Sequence, residues 1–426
     1  MTTTPFATRV LEAHVSFQTQ PFQTPLMLSS GPITEITQAE AQVVVEVEGR
    51  QGIGRGAIYL SDLWAWPDPS LSHAVRDSRM RDLCLRLAAE LPELCGDEPA
   101  HPLELGLRLH ASVAALELPD GMPPLARQVC LSPFDAAIHD AAGQALQRSA
   151  FSLYVDPAPL PSADLLFPAE GASRAVQQIL RPPRMAQRAW LVVGTAEPLE
   201  RMQEWIRERR YHAFKLKLGG KDNATDVART VEVFRSARAF GVATPRLCVD
   251  SNCGNPDAAS VLDYLERLYV ASPEAYDALE YVEQPTGRDI ATHAFDWRPV
   301  NARKPVILDE GLTDFDRLQL ARTQGWGGIA VKTCKGHSFA LVAAAWAGKQ
   351  GMQIAMQDLT NPGLAAIHSF LMAAHLHPFN GIELNSPQYT PDANHRWLPR
   401  LKSLFEPNDG YHRLPGDVPY GLGSTL

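Results

Sequence analysis

From about residue 188 onward the chain repeats one pattern: a short, mostly apolar run followed by a longer amphipathic stretch. Eight such runs are readable, at residues 189–194, 213–218, 246–249, 279–282, 305–308, 328–331, 353–356 and 381–384. Helix-like segments lie between them, at 200–210, 225–240, 257–268, 314–323, 338–350 and 364–376. Parallel strands cannot be joined by a tight turn, so runs separated by helix-length crossovers specify a parallel sheet. Eight strands in about 200 residues suit a closed barrel better than an open doubly wound sheet.

The first ~150 residues carry a different signal, a small sheet followed by helices. Residues 11–17 alternate, 41–47 are rich in valine, and Glu48-Gly49-Arg50-Gln51-Gly52 supplies a turn before 53–59, so the last two runs form a hairpin. Gly52-Ile53-Gly54-Arg55-Gly56 superficially suggests a dinucleotide loop, but the third-glycine spacing is wrong and no helix opens after it; hairpin glycines are the reading adopted. A helix is expected from a capping Ser132, with Pro133 at its first position, through Leu146. Residues 157–161 then form a stiff proline-rich connector.

Composition narrows the function classes. The chain has 426 residues, 45% hydrophobic and 20% charged, which is ordinary for a folded protein. A net charge of -9 without a basic arm argues against nucleic acid or an anionic membrane as partner. No apolar stretch approaches the ~18–20 residues of a membrane span, and no secretory leader is visible, so a cytoplasmic location is expected. Six scattered cysteines without a Cys-x-x-Cys pair argue against zinc and disulfides.

In a barrel of this kind the site gathers at the carboxyl ends of the strands. The second run ends Phe214-Lys215-Leu216-Lys217, the third Val249-Asp250-Ser251-Asn252, the fourth Val282-Glu283-Gln284-Pro285, the fifth Leu308-Asp309-Glu310-Gly311, and the sixth Val331-Lys332. Asp250, Glu283 and Asp309 thus sit at three consecutive tips and would converge, adjacent strands lying ~4.8 Å apart. Such an all-oxygen set suits Mg²⁺, with Mn²⁺ as a substitute. Each acid alone could instead cap the following helix; the metal reading accounts for all three together. Lys215 and Lys217 share one face, inward in a barrel strand, where a neighbouring charge and partial desolvation favour a neutral amine on one of them. Lys332 would lie across the site, so two lysines would face each other over a substrate.

The succession Lys-x-Lys, Asp-x-Asn, Glu-Gln-Pro, Asp-Glu-Gly and Val-Lys resembles the enolase superfamily, and within it the muconate-lactonizing-enzyme-like subgroup of the mandelate racemase/muconate lactonizing enzyme family. The resemblance implies an α/β fold: a modified (β/α)7β TIM-type barrel at 185–387 behind an N-terminal α+β capping domain, 1–156, with contributions from 388–426. It implies Asp250, Glu283 and Asp309 as metal ligands, Asn252 as support beside the metal, Lys217 and Lys332 as the acid/base pair, and Lys215 as a group that holds the substrate carboxylate and lowers the proton affinity of Lys217. The implied reaction is Mg²⁺-dependent abstraction of a proton α to a carboxylate through an enediolate, giving racemisation, epimerisation or cycloisomerisation. Dehydration of the o-succinylbenzoate synthase type, and a non-catalytic carboxylate-binding relative, are the alternatives. The implied partner is a small carboxylate, and relatives usually associate, so a homo-oligomer is expected.

The sequence also departs from that pattern. The seventh run, Ile354-Ala355-Met356-Gln357-Asp358, has no histidine at its tip, so the His-Asp dyad of mandelate racemase-like members is absent. The eighth, Ile382-Glu383-Leu384-Asn385, lacks the Asp-x-Asp pair of dipeptide epimerases. His337 stands where relatives usually show a second glycine. Glu310 either pairs with a catalytic lysine or is a solvated loop acid. His368 and His375 are read as packing or surface residues, and Trp64 and Trp66 as packing residues with pocket lining as the second reading.

Overall fold

The computed structural model describes residues 4–28, 31–118 and 121–426. Strands β1 (Thr8–Leu28), β2 (Gly31–Val47) and β3 (Arg50–Tyr59) form an antiparallel sheet in that order. Glu48 and Gly49 join β2 to β3, both at positive φ (50° and 73°), the twist a two-residue hairpin requires. Along β2 the side chains of Ala39, Ala41, Val43, Val45 and Val47 are fully buried, so one face of the pleat is core.

That face is covered by the Pro124–Leu146 helix. Gly52, Gly54 and Gly56 of β3 are not turn glycines: a Cβ at Gly54 would lie 2.1 Å from Ala141 N and 2.2 Å from Ala137 O, so only glycine lets the helix backbone approach. The helix begins nine residues earlier than Ser132 suggested, and Pro133 lies inside it. Pro133 has no N–H for the carbonyl four residues back, and the Ser132 hydroxyl donates to that carbonyl, Val129 O, at 2.9 Å. The serine therefore repairs the helix interior instead of capping an end.

A short strand β4 (Ala186–Arg188) pairs antiparallel with β12 (Tyr411–Arg413). The barrel strands follow: β5 (Trp190–Val193), β6 (Ala213–Lys217), β7 (Arg246–Asp250), β8 (Leu279–Glu283), β9 (Val306–Leu308), β10 (Gly328–Val331) and β11 (Gln353–Met356), all parallel and paired in chain order. The 381–384 run is not a full strand; single bridges, Ala189 to Ile382 and Gln357 to Glu383, carry it across the gap between β5 and β11. The span between β7 and β8 holds two helices, Ala258–Ala271 and Pro273–Ala278.

The barrel interior is layered. Trp190, Ala213, Cys248, Tyr281, Ile307, Ala330 and Ala355 form one buried apolar layer, one residue from each strand. Two residues further along, the same inward positions read Val192, Lys215, Asp250, Glu283, Asp309, Lys332 and Gln357, so the apolar plug is the floor of a charged layer.

The N-terminal unit is tied to the barrel by buried polar contacts. Asp135 accepts the Ser338 N–H and hydroxyl, each at 2.8 Å, and the Tyr154 hydroxyl lies 2.7 Å from His139 Nδ1 and 3.0 Å from His337 Nε2. His337 thus serves the docking surface behind the Lys332 loop. The C-terminal segment returns to the Pro124–Leu146 helix, where Leu422 N donates to Asp140 Oδ1 at 2.7 Å. All six cysteines are free, five of them buried. His368 and His375 are buried packing residues, and no helix among the described residues could cross a membrane.

Buried histidines give the fold a pH limit. His101 donates to Leu153 O through Nε2 and accepts the Leu103 N–H at Nδ1, which fixes it as neutral; burial pushes it down to about 4, and pushes His412 down to about 4 and His368 to about 3. Below the unfolded value of about 6.5 the unfolded chain takes up protons that the folded chain refuses, so stability falls as pH falls from about 6.5 toward 4. We expect unfolding titrations to lose up to about 1.4 kcal/mol per pH unit per histidine across that window. A flat stability profile between pH 7 and 5 would contradict this.

Candidate active site

Register brings the tips together: Lys217 lies beside Asp250, and Asp250 beside Glu283. Lys215, 2% exposed, is the hub, with Nζ 2.8 Å from Glu283 Oε1, 3.0 Å from Glu383 Oε2 and 3.2 Å from Asp250 Oδ2. Lys217, at the less buried end of β6, donates to Asp250 Oδ2 at 2.6 Å and Asn252 Oδ1 at 3.0 Å. β10 lies four positions from β6 in a ring of eight, which sets Lys332 opposite the lysine pair. Lys332 Nζ donates to Asp309 Oδ2 at 2.6 Å and sits 4.7 Å from the centre of the Trp64 ring. Lys335 reaches the same carboxylate, 3.2 Å from Oδ1.

The loops behind the tips are fixed by side chains. Gln284 accepts the Asp309 and Gly311 N–H groups at 2.9 and 3.0 Å, holding the β9 tip from the neighbouring strand. Asn252 N donates to Asp250 Oδ1 at 2.8 Å. Asn252, Cys253 and Gln284 all take positive φ (44°, 71° and 30°), the backbone strain that surrounding structure sustains at functional sites. Glu310 is neither solvated nor hydrogen-bonded to a lysine: it is 1% exposed and accepts from Asn252 Nδ2 at 3.0 Å and Trp64 Nε1 at 3.1 Å.

The electrostatics favour the charged form of two of the lysines. Burial alone would push the lysines down, yet Glu283, Glu383 and Asp250 hold Lys215 well above the usual lysine range, and Asp309 and Glu283 do the same for Lys332. Both are therefore held as ammonium ions; the neighbouring carboxylates outweigh desolvation and the second lysine. Burial likewise opposes ionisation of Asp250 and Asp309, but Lys217 with Lys215, and Lys332 with Lys335, hold them below the usual carboxylate range. Glu283 is pushed up to about 8 by burial and by Asp250 and Asp309, and burial also pushes Glu310 and Asp358 up.

This bears on the metal. Among the described residues no three acidic, imidazole or thiol side chains are grouped closely enough to hold an ion by themselves, because lysines stand among the three carboxylates. The donor set fits a hard divalent ion all the same. It is all oxygen, it comes from adjacent tips, and Glu283, pushed up by burial and by Asp250 and Asp309 beside it, lacks a full share of positive charge.

Above the layer a small chamber of about 50 Å³ is bounded by Lys215, Lys217, Asp250, Asp309 and Lys332 below and by Ile33 and Trp64 of the N-terminal unit. The structure thus brings together Lys215, Lys217, Asn252, Asp250, Glu283, Asp309, Glu310 and Lys332. Sequence reasoning missed Glu383, Gln357, which donates to Glu283 Oε2, and the roles of Gln284 and Lys335; Trp64, for which pocket lining was the second reading, bounds the chamber.

The family model "Enolase C-terminal domain-like" matches residues 197–426, more than half of the chain. The chain belongs to this enolase-type family. Muconate cycloisomerase 1 of Rhodococcus opacus is 33% identical over 141 residues, 33% of this chain and 34% of that protein, so the match spans about a third of the curated relative. Muconate lactonizing enzyme from Pseudomonas fluorescens, solved with muconolactone, superposes with TM-score 0.66 at 20% identity over 99% of this chain and 97% of that one. N-succinyl Arg/Lys racemase from Bacillus cereus gives 0.64 at 15% identity over 97% and 96%. An enolase from Bradyrhizobium, solved with magnesium and mandelic acid, gives 0.64 at 17% over 99% and 96%. The shared fold is the barrel with its N-terminal antiparallel sheet, as an enolase-type chain requires.

The hub role of Lys215 is directly testable. Lys215→Met leaves three buried acids without their shared cation, and breaking a buried pair costs about 3–5 kcal/mol. Urea unfolding at neutral pH is expected to show a loss of that size; a loss under about 1 kcal/mol would remove Lys215 from the centre of the network.

Proposed function

We propose that this chain removes a proton α to the carboxylate of a small acid, with Lys217 and Lys332 acting from opposite sides of the substrate, and that it thereby racemises, epimerises or cycloisomerises its substrate. The observation that carries the reading is the opposed lysine pair over a buried layer of acids. An α-proton is so weakly acidic that its removal needs a base fixed at the carbon and positive charge at the carboxylate oxygens. Lys217, touching one carboxylate and the least buried of the three lysines that line the chamber, is the candidate base. Lys332, held as an ammonium ion, is the candidate proton donor on the other face. Lys215 helps to keep Asp250 ionised and Lys335 does the same for Asp309, and Ile33 and Trp64 shield the chamber from water.

Asp250, Glu283 and Asp309 would hold a Mg²⁺ ion, or Mn²⁺ in its place, which when bound supplies the charge that a substrate carboxylate leans on. One observation favours a second reading. Lys332 sits over the Trp64 ring as a cation, and a lysine that only stabilises charge is what a dehydrating lyase needs.

The test is solvent deuterium incorporation, read by mass spectrometry, into a panel of carboxylates incubated in D2O with Mg²⁺. We expect exchange or dehydration in one substrate class, reduced about a hundred- to ten-thousandfold by Lys217→Ala and abolished by chelation. Loss of exchange in Lys332→Ala assigns the two-base reaction. Dehydration lost in that variant assigns the lyase. Exchange that survives in both variants would refute the lysine mechanism.

A further inference from the structure

A second, much larger chamber of about 790 Å³ adjoins the catalytic one, and Lys217, Asn252 and Tyr389 form walls of both. Its other walls come from Thr24 and Pro25 near the end of β1, from the loop after β5 (residues 194–198), and from Leu218 to Lys221 after β6. The lining is mostly apolar, with Pro25, Ala196, Pro198, Leu218 and the Tyr389 ring as its main surfaces.

Its charges are largely settled internally. Glu197 accepts the Gly194 N–H at 2.9 Å and pairs with Arg201 at 3.5 Å, and Arg201 also donates to Gln388 O at 2.9 Å. Arg229 donates to the carbonyls of Gly194 and Glu197, at 3.1 and 2.6 Å, which pins the β5 loop from outside. The chamber is therefore a mainly hydrophobic groove, open on the side of Pro25, Ala196 and Pro198, and of the size that takes a drug-sized ligand rather than a water cluster. The catalytic chamber, at about 50 Å³, is far smaller.

We infer that the substrate is an acid whose α-carbon carries a long apolar substituent, an alkyl, acyl or aryl tail that passes Lys217 and lies in this outer chamber. The inference rests on the proposed reaction for the position of the reacting end, and on the chamber for the tail. Apolar area taken from water in such a space contributes to binding in proportion to chain length. A short acid of the same head group leaves the chamber to solvent and forgoes that contribution.

The test uses N-acyl derivatives of one amino acid, lengthened from acetyl to dodecanoyl, with wild type and Ala196→Trp, which fills the exposed side of the chamber. Binding is measured by calorimetry and turnover by deuterium exchange in D2O. In wild type, affinity is expected to rise about two- to fourfold per methylene, and Ala196→Trp to flatten that slope. A slope in binding that Ala196→Trp flattens, with no exchange in any acid, supports the chamber and overturns the reaction. Exchange that is equally fast for every chain length, with flat binding, supports the reaction and overturns the chamber. A slope that Ala196→Trp leaves intact also overturns it, since the tail then lies elsewhere.

Discussion

The structure depends on one buried arrangement: ammonium ions interleaved with carboxylates at a single level of the barrel. Taking such charges out of water is costly unless each finds a partner at hydrogen-bonding distance. Here the partners come from different strands, Lys215 from β6 to Asp250 on β7, Glu283 on β8 and Glu383 on the closing run. The layer can form only when the barrel is closed and its register correct, because a one-residue slip would turn every one of these side chains outward. The apolar layer beneath it, from Trp190 to Ala355, keeps water out from below, and the N-terminal unit covers it from above.

The N-terminal unit is accordingly part of the site. Trp64 carries its ring to Lys332 and its Nε1–H to Glu310, and Ile33 reaches the chamber from β2. Its position is set by the Asp135–Ser338 contacts and by Tyr59 N donating to Asn361 Oδ1 at 2.7 Å, which grip the start of the His337–Lys349 helix and the loop after β11. The glycines of β3 serve the same end, since they seat the Pro124–Leu146 helix that carries Asp135.

The barrel was legible in the sequence because its strands are compact apolar runs, five of which, β6 to β10, stop at a charge. Asp250, Glu283, Asp309 and Lys332 could be read from that alone, and the period of two along β6 pointed Lys215 and Lys217 inward together. Glu383 and Gln357 were not legible as partners, since what they touch depends on closure between chain ends far apart in sequence. The partner of Trp64 was invisible for the same reason: nothing local says that a tryptophan after a hairpin will meet a lysine more than 260 residues later. The full set of acids that holds Lys215 as a cation was not legible either, because it includes Glu383 on the closing run. Pro133 misled locally, as Ser-Pro marks a helix start unless the serine satisfies the carbonyl that proline leaves.

The central claim is that Asp250, Glu283 and Asp309 together can take up a divalent ion, Glu283 giving up its proton as they do so, and calorimetric titration with Mg²⁺ in two buffers of different ionisation heat tests it most directly. With Glu283 pushed up to about 8, binding near pH 7 is predicted to release about one proton per ion, and Glu283→Gln to abolish both the release and most of the affinity. Binding that releases no proton and is untouched by Glu283→Gln would contradict the account.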